Sequence, residues 1–187
     1  MKHIIKHFKK VDPILAAAVK TLDPIVPSND YFSDLCEIVI QQQLSEKAGE
    51  TIWHRFLKLF ERLTPANVLA TPDVNIRAAG ISWSKITYLK NLAKHGGLEA
   101  LRDMGDAEVI RELTKIKGIG PWSAEMFLMF SLGREDVFSY GDLGLRRAIQ
   151  KLYKFKKEPT IKQMGKIVRK WSPYRTYGAR ILWKMLE

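Results

Sequence analysis

Residues 113–124 read Leu-Thr-Lys-Ile-Lys-Gly-Ile-Gly-Pro-Trp-Ser-Ala, and this stretch decides the fold. It predicts that one helix ends, that two glycines flank Ile119, and that a strongly apolar helix follows. Glycine tolerates positive φ and lets another backbone approach closely. The unpaired N–H groups and the dipole at the start of the second helix suit a phosphate oxygen. The pattern therefore predicts a helical hairpin that grips one nucleic-acid strand without reading its bases.

Several residues of this hairpin are candidates for contact with a phosphate. Lys115 and Lys117 add positive charge, Ser123 is expected to donate its hydroxyl, and the segment Gly118-Ile119-Gly120 offers backbone N–H groups. The alternative is a plain corner between two helices with a glycine stop, and a Gly-x-Gly pattern taken alone does not decide between the two.

Composition favours a polyanionic partner. The 187 residues include 31 Lys and Arg against 20 Asp and Glu, which gives a net charge of +11. Nucleic acid is the commonest partner for such a chain, although a basic protein with no such partner is the alternative. The single cysteine, Cys36, excludes an internal disulfide and a four-cysteine iron–sulfur or zinc site, and it is predicted to be buried. No apolar run is long enough to cross a membrane.

The chain as a whole is predicted to be helical, with about ten short helices and no strand-like alternation. Asp12 is predicted to cap a helix that begins at Pro13, and the lysines of the first ten residues are predicted to form a basic helix face. Further helices are predicted over 31–44, 45–63, 83–93, 106–113, 122–132, 142–153, 160–171 and 174–186.

Several segments, in order, resemble the helix-hairpin-helix DNA glycosylase superfamily, and most closely its 3-methyladenine branch. The resemblance runs from about Asp12 to Leu186. Its segments are Asp12-Pro13-Ile14-Leu15-Ala16, Ile40-Gln41-Gln42-Gln43-Leu44-Ser45, Gly80-Ile81-Ser82-Trp83-Ser84-Lys85, the hairpin, Asp136-Val137-Phe138, Gly141-Asp142-Leu143-Gly144-Leu145-Arg146-Arg147, and Trp171-Ser172-Pro173-Tyr174-Arg175-Thr176-Tyr177-Gly178-Ala179 with Leu182-Trp183.

The resemblance implies an all-α fold of two helical lobes around a cleft. It implies one domain over residues 1–187, with one lobe over 31–140 that holds the hairpin and a terminal lobe formed by 1–30 and 141–187. The chain is too short for the N-terminal β domain that the bacterial two-domain form carries.

Asp142 is the candidate catalytic carboxylate. Cleavage of a glycosidic bond builds positive charge on the sugar, and a fixed carboxylate can stabilise that charge or activate water. The alternative is that Asp142 is an ordinary helix N-cap, the usual role of such an aspartate. The nearest competing carboxylate, Asp136, is predicted to be a solvated or capping residue.

The resemblance places Trp122, Met126 and Trp183 in the pocket that holds the extruded base. An electron-rich indole face favours a cationic alkylated purine, although both tryptophans could instead be core residues. Trp53 and Trp171 are predicted to be core. The position of Met126 often carries an aromatic residue in the family, but the yeast-type branch allows methionine.

Two further positions are candidates for DNA contact. Trp83 matches the apolar wedge that fills the gap left by a flipped base, and it could equally be buried. Gln43 lies in a helix junction that approaches DNA in the family, and it could equally be a capping residue.

A monovalent cation is a further expectation from the resemblance. Family members often hold Na⁺ or K⁺ through hairpin carbonyls, which here belong to Thr114, Ile116 and Ile119. No cofactor is expected to be required.

The resemblance implies a monofunctional glycosylase that removes 3-methyladenine and 7-methylguanine from double-stranded DNA in base excision repair. Bifunctional members carry a covalent lysine nucleophile where this chain has Trp122. The alternatives are a non-catalytic DNA-binding module and a glycosylase for uracil, hypoxanthine or an oxidised purine. The protein is expected to be a monomer without a membrane partner, and to be cytoplasmic at the nucleoid in a prokaryote or nuclear in a eukaryote.

Overall fold

A computed structural model describes residues 1–19 and 21–186, and in these residues it contains helices and turns but no strand. The all-α class is therefore confirmed. The helices are α1 Lys2–Val11, α2 Pro13–Ala17, α3 Tyr31–Gln41, α4 Glu46–Leu57, α5 Pro65–Ala70, α6 Asp73–Ala78, α7 Trp83–His95, α8 Asp106–Leu113, α9 Pro121–Met126, α10 Leu143–Leu152, α11 Ile161–Val168 and α12 Arg175–Lys184. Leu98–Asp103 and Arg169–Trp171 are 3₁₀ turns, and Phe127–Ser131 is a π-helical turn.

The chain divides into two compact units. Unit 1 combines residues 1–26 with 133–187, and unit 2 is the continuous segment 27–132. Unit 1 therefore holds α1, α2 and α10 to α12, whereas unit 2 holds α3 to α9 with the hairpin.

Unit 1 is organised around a buried carboxylate. Asp12 separates α1 from α2, is 6% exposed, and its Oδ1 accepts a hydrogen bond from the N–H of Leu15 at 3.1 Å. Its Oδ2 accepts from the Tyr153 hydroxyl at 2.6 Å and from the Trp171 indole N–H at 2.9 Å. The predicted N-cap is confirmed, and the same side chain also ties the N-terminal helices to residues near the end of the chain.

Unit 2 is built around α3, whose apolar face packs against α4, α7 and α9. Leu35, Cys36 and Val39 of this helix are fully buried, which confirms the predicted burial of the cysteine. Burial raises the pKa of the Cys36 thiol well above its usual range. No helix in the described part of the chain has the length and apolar character needed to span a bilayer.

Three predicted helix limits need correction. The helix predicted to run to Leu44 ends at Gln41, because Gln43 has a positive φ of 57°. The next helix ends at Leu57 rather than Leu63, and Leu59 and Phe60 form i→i−3 turn bonds. The helix after the hairpin begins at Pro121, and beyond Met126 it widens into the π-helical turn.

Candidate functional site

The two hairpin glycines differ in what their positions require. Gly118 has φ +106°, and a Cβ at this position would lie 2.1 Å from Cγ of Tyr88. Gly120 is extended, with φ −98°, and a Cβ there would meet no described atom within 4 Å. Only glycine therefore fits at position 118, both for its backbone angle and for its contact with α7.

Gln42 holds the hairpin from the end of α3. Its Nε2 donates to the carbonyl of Gly118 and to Oγ of Ser123, each at 2.9 Å. Ser123 is 2% exposed. The expectation that Ser123 donates to a phosphate is therefore corrected, because its hydroxyl is buried and already takes part in this bond.

Lys85 ties α7 to the junction between α3 and α4. Its Nζ donates to the carbonyl of Ile40 at 2.7 Å and to that of Gln42 at 2.6 Å. Burial lowers the pKa of Lys85. Gln42 and Lys85 thus link the junction, the start of α7 and the hairpin in one network.

The two predicted DNA-contact residues outside the hairpin lie on segments that this network joins. Gln43 is exposed and directly follows Gln42. Trp83 is 55% exposed and lies two residues before Lys85, at the start of α7. The structure therefore brings their backbone segments together through Lys85 and leaves both side chains accessible.

Sequence reasoning did not single out Gln42 or Lys85. Three consecutive glutamines give no local sign of which one is turned inward, and Lys85 resembles any lysine on a helix surface. Gln42 and Gly118 are 76 residues apart, so their bond has no local signature in the sequence.

The hairpin lysines and carbonyls lie on the turn itself. Lys115 and Lys117 are exposed, and Lys115 forms an ion pair with Glu112. Of the carbonyls predicted to bind a cation, that of Ile116 accepts the N–H of Ile119 at 3.0 Å, which leaves it a second lone pair. Neutral carbonyl oxygens are ligands of the kind that hard cations prefer, and the ion on these three carbonyls stays a prediction.

Asp142 begins α10 in unit 1. Its Oδ1 accepts the N–H of Leu145 at 2.7 Å and the indole N–H of Trp183 at 3.2 Å. The carboxylate is half-buried. Asp142 is therefore an N-cap, and the bond from Trp183 additionally fixes its orientation from a second helix, α12.

Gly144 provides the space for this pair. A Cβ at position 144 would lie 3.1 Å from Oδ1 of Asp142 and 3.4 Å from Nε1 of Trp183. The structure thus brings together two of the predicted site residues, Asp142 and Trp183, and shows that the glycine beside them leaves room for both side chains. This role of Gly144 was not anticipated from the sequence.

Asp136 is more firmly held than predicted. Its carboxylate accepts Nε of Arg175 at 2.6 Å, the backbone N–H of Arg175 at 3.2 Å and the hydroxyl of Ser172 at 2.8 Å. Although burial opposes the charged form, the bonds from Arg175 and Ser172 lower the pKa of Asp136 overall. The residue is therefore an ion-paired cap of α12 rather than a solvated loop residue.

The remaining predicted pocket residues differ in exposure. Trp122 is half-buried on α9, and Met126 is 5% exposed. Trp53 and Trp171 are buried, as predicted for core residues.

Two of the cavities in the described residues are lined by unit 2. An open cavity of about 650 Å³ lies among residues 28–32, 62–65 and 96–99, and no predicted site residue lines it. A smaller one of about 280 Å³ is lined by Asp34, Glu37 and Gln41. Burial raises the pKa of both carboxyl groups there.

Comparison with known proteins gives consistent matches over nearly the whole chain. The chain is 36% identical to DNA-3-methyladenine glycosylase 1 of Schizosaccharomyces pombe over 82% of this chain and 71% of that protein. It is 32% identical to DNA-3-methyladenine glycosylase of Saccharomyces cerevisiae, with 98% and 78% covered. A solved structure of the S. pombe 3-methyladenine DNA glycosylase in complex with abasic DNA matches with a TM-score of 0.89 and 31% identity, over 97% of this chain and 95% of that one.

The family model for the HhH-GPD superfamily base excision DNA repair proteins matches residues 36–173, well over half of the chain. This range includes the α3–α4 junction, the hairpin and Asp142. The chain belongs to the HhH-GPD superfamily of base excision DNA repair proteins.

Proposed function

We propose that this protein is a monofunctional DNA-3-methyladenine glycosylase, which hydrolyses the N-glycosidic bond of alkylated purines in base excision repair. The observation that carries the proposal is the carboxylate of Asp142, held at the start of α10 by the N–H groups of Leu145 and Trp183. Membership of the HhH-GPD superfamily and the similarity to two yeast 3-methyladenine glycosylases support the same activity.

Asp142 acts on the sugar. As the bond to the base breaks, positive charge develops on the sugar ring, and a fixed carboxylate stabilises it without having to reorganise. The same group can orient the water that attacks the sugar carbon. Because two donors hold Oδ1, the carboxylate plane is set before the substrate binds.

Two tryptophans serve recognition of the base. A base must leave the duplex stack before a side chain can reach its glycosidic bond. Alkylation leaves 3-methyladenine and 7-methylguanine positively charged, and the faces of Trp122 and Trp183 attract such rings by cation–π contact. Met126 is proposed as a further residue of base recognition, as the family resemblance implies.

The reaction ends with an intact backbone. Bifunctional members of the superfamily use a lysine amine that attacks the sugar, and this chain has Trp122 at the matching position. Hydrolysis by water therefore leaves an abasic site, and strand cleavage falls to another enzyme.

Double-stranded DNA is the proposed partner. The hairpin N–H groups of Gly118 and Gly120, with Lys115 and Lys117, bind one strand through its phosphates. The N–H of Ile119, also expected to contribute, already bonds the carbonyl of Ile116. Trp83 is exposed, and we assign it to the gap left by the flipped base. Gln43 is also exposed, and we assign it to the helix junction that approaches the DNA. A Na⁺ or K⁺ ion on the carbonyls of Thr114, Ile116 and Ile119 would supply positive charge to the hairpin when bound. The protein acts as a monomer in the compartment that holds DNA.

The test is release of free base from duplex DNA that contains 3-methyladenine or 7-methylguanine. In Asp142→Asn the amide oxygen can still accept the Leu145 N–H, but the negative charge is gone. We expect the single-turnover rate to fall by about 10³-fold, in the range seen when one stabilising group is removed, with an uncut backbone and unchanged DNA affinity. Asp136→Asn is the matched control and should keep full activity.

Two outcomes would contradict the proposal. If the native protein binds the duplex but releases no base from these lesions, nor from uracil or hypoxanthine, it is a binding module. If Asp142→Asn and Asp136→Asn lose activity equally, Asp142 has no special part in the reaction.

A further inference from the structure

Positive charge is unequally divided between the two units. Unit 1 has 19 Lys and Arg against 7 Asp and Glu, a net +12, whereas unit 2 has 12 against 13, a net −1. The unit that contains the phosphate-binding hairpin therefore contributes none of the net positive charge of the protein. Long-range attraction to a polyanion must come from unit 1.

Within unit 1, α1 presents a continuous basic face. Ile4 and Phe8 are turned into the core, at 1% and 0% exposure. At about 100° per residue, the lysines at positions 2, 6, 9 and 10 lie on the opposite side of the helix, within an arc of about 100°, and all four are exposed.

A second basic segment lies against α1. α1 packs against the 3₁₀ turn Arg169–Trp171. Trp171 is buried in that turn, while Arg169 and Lys170 are exposed. The six residues Lys2, Lys6, Lys9, Lys10, Arg169 and Lys170 are named the basic surface below.

Acidic groups of unit 1 do not neutralise the basic surface. Asp12 is buried and accepts three hydrogen bonds. The other carboxylates that the structure describes in unit 1 are likewise engaged elsewhere: Asp23 with Lys184, Glu135 with Tyr177, Asp136 with Arg175, Asp142 with Leu145 and Trp183, and Glu158 with Arg146. The charge of the basic surface is therefore available to an external anion.

We propose that the basic surface binds the phosphate backbone of DNA, as a second contact region besides the hairpin. The proposal rests on the proposed function only in naming DNA as the partner. A stripe of lysines suits phosphates and carries no information on sequence. It would hold the protein on undamaged DNA while the hairpin and Asp142 act at a lesion.

A membrane surface fits this helix less well than DNA does. Helices that lie on a bilayer insert an apolar face among the acyl chains. Of the apolar residues of α1, Ile4 and Phe8 are buried in unit 1, and Ile5 and Val11 are half-buried. The exposed residues of the helix are its lysines and His3, which leaves electrostatic attraction to phosphates as its main means of binding.

The test compares two variants of equal charge. One carries Lys2→Gln, Lys6→Gln, Lys9→Gln and Lys10→Gln. The control carries Arg55→Gln, Lys58→Gln, Arg62→Gln and Lys94→Gln, which are exposed cations of unit 2 outside the hairpin and the junction. Affinity for an undamaged duplex is measured by fluorescence anisotropy between 50 and 200 mM salt, and circular dichroism checks that both variants fold.

The salt dependence is the decisive quantity. Each phosphate contact contributes about 0.9 to the slope of log affinity against log salt. If all four lysines bind phosphates, the native protein should lose about 100-fold more DNA affinity between 50 and 200 mM salt than the variant that lacks the four lysines of α1 (the α1 variant). The control should keep the native slope, and base release at saturating DNA should be unchanged in both.

An unchanged slope in the α1 variant, or an equal change in both variants, would overturn the proposal. A further experiment measures binding of the native protein and of the α1 variant to vesicles that contain phosphatidylserine. Binding of the native protein to them, lost in the α1 variant while DNA affinity stays native, would assign the surface to membranes instead. Failure of the native protein to release any base would refute the proposed glycosylase and leave the slope measurement valid.

Discussion

The two units differ in the physical means by which we propose that they bind DNA. Unit 1 carries the whole net charge, and its exposed lysines need no fixed geometry to attract a phosphate. Unit 2 is close to neutral, and its hairpin depends on backbone angles and on the hydrogen bonds of Gln42 and Lys85. Charge supplies attraction at a distance, whereas oriented N–H groups act only at contact.

This difference predicts different sensitivities. At physiological salt, attraction between exposed charges is largely screened beyond about 8–10 Å. Changes to the exposed charges of unit 1 should therefore alter the salt dependence of DNA binding. Changes to the hydrogen-bonded frame of unit 2 should alter affinity and stability at every salt concentration.

Gly118→Ala should damage unit 2 most. The new Cβ would lie 2.1 Å from Cγ and 2.4 Å from Cβ of Tyr88, and no rotamer change of Tyr88 moves its Cβ away. Together with the positive φ, we expect the free energy of unfolding to fall by about 3–4 kcal/mol, as for overpacking with backbone strain. Urea titration followed by circular dichroism measures this loss.

The matched control is Gly120→Ala, two residues away. Its φ is −98° and its Cβ would have open space, so stability should change by less than about 0.5 kcal/mol. Equal losses for the two alanine variants would show that the hairpin does not depend on the Gly118–Tyr88 contact.

Lys85→Met tests the hydrogen bonds that join α7 to the junction between α3 and α4. Methionine keeps the apolar stem but leaves the carbonyls of Ile40 and Gln42 without the ammonium. Hydrogen bonds to charged groups contribute about 1.5–3 kcal/mol each, and because Lys85 is partly exposed we expect a total loss of about 2–3 kcal/mol. DNA affinity should fall at all salt concentrations with the native slope.

Lys94→Met on the same helix is the comparison for charge alone. Lys94 is exposed near the end of α7, so stability should stay native. A changed salt slope in Lys85→Met would contradict the view that this lysine acts through geometry rather than as a phosphate ligand.

The sequence predicted what local patterns encode. Asp12 before Pro13 predicted a capped helix, and the alternation of glycines around Ile119 predicted the hairpin, because capping and positive φ are decided within a few residues. The inward turn of Ser123 was missed because its partner, Gln42, is 81 residues away. The uneven charge was also missed, since unit 1 is assembled from both ends of the chain and its excess shows only after the fold is known.

Gly144→Ala addresses the catalytic part of unit 1. A Cβ 3.1 Å from Oδ1 of Asp142 and 3.4 Å from the Trp183 indole must push one of them by a few tenths of an ångström. A misplacement of about 1 Å can lower a rate by about 100-fold, so this smaller shift should lower base release under single-turnover conditions by about 10-fold while DNA affinity stays native. Alanine favours helices over glycine, so stability should not fall.

Gly141→Ala provides the control, since a Cβ there would meet no described atom within 4 Å. Its rate of base release should stay native. A native rate in Gly144→Ala as well would mean that the Asp142–Trp183 bond does not orient the carboxylate for the reaction.

The smallest expected effect is on the stability of unit 1 at low pH, through the carboxylate of Asp136. The pKa of Asp136 is lower in the fold than its usual 3.8, because the bonds from Arg175 and Ser172 outweigh the opposing effect of burial. The charged carboxylate therefore stabilises the fold above about pH 4, and this contribution is lost as the pH falls through the folded pKa.

Asp136→Asn should lower stability at pH 7 by about 1 kcal/mol, as for a well-oriented surface pair, and should flatten the decline of the melting temperature below pH 4. Glu158→Gln, which removes the partner of Arg146, is the comparison. If melting curves of native protein and Asp136→Asn remain parallel between pH 2 and 6, the pair with Arg175 does not protect unit 1 from its own excess of positive charge.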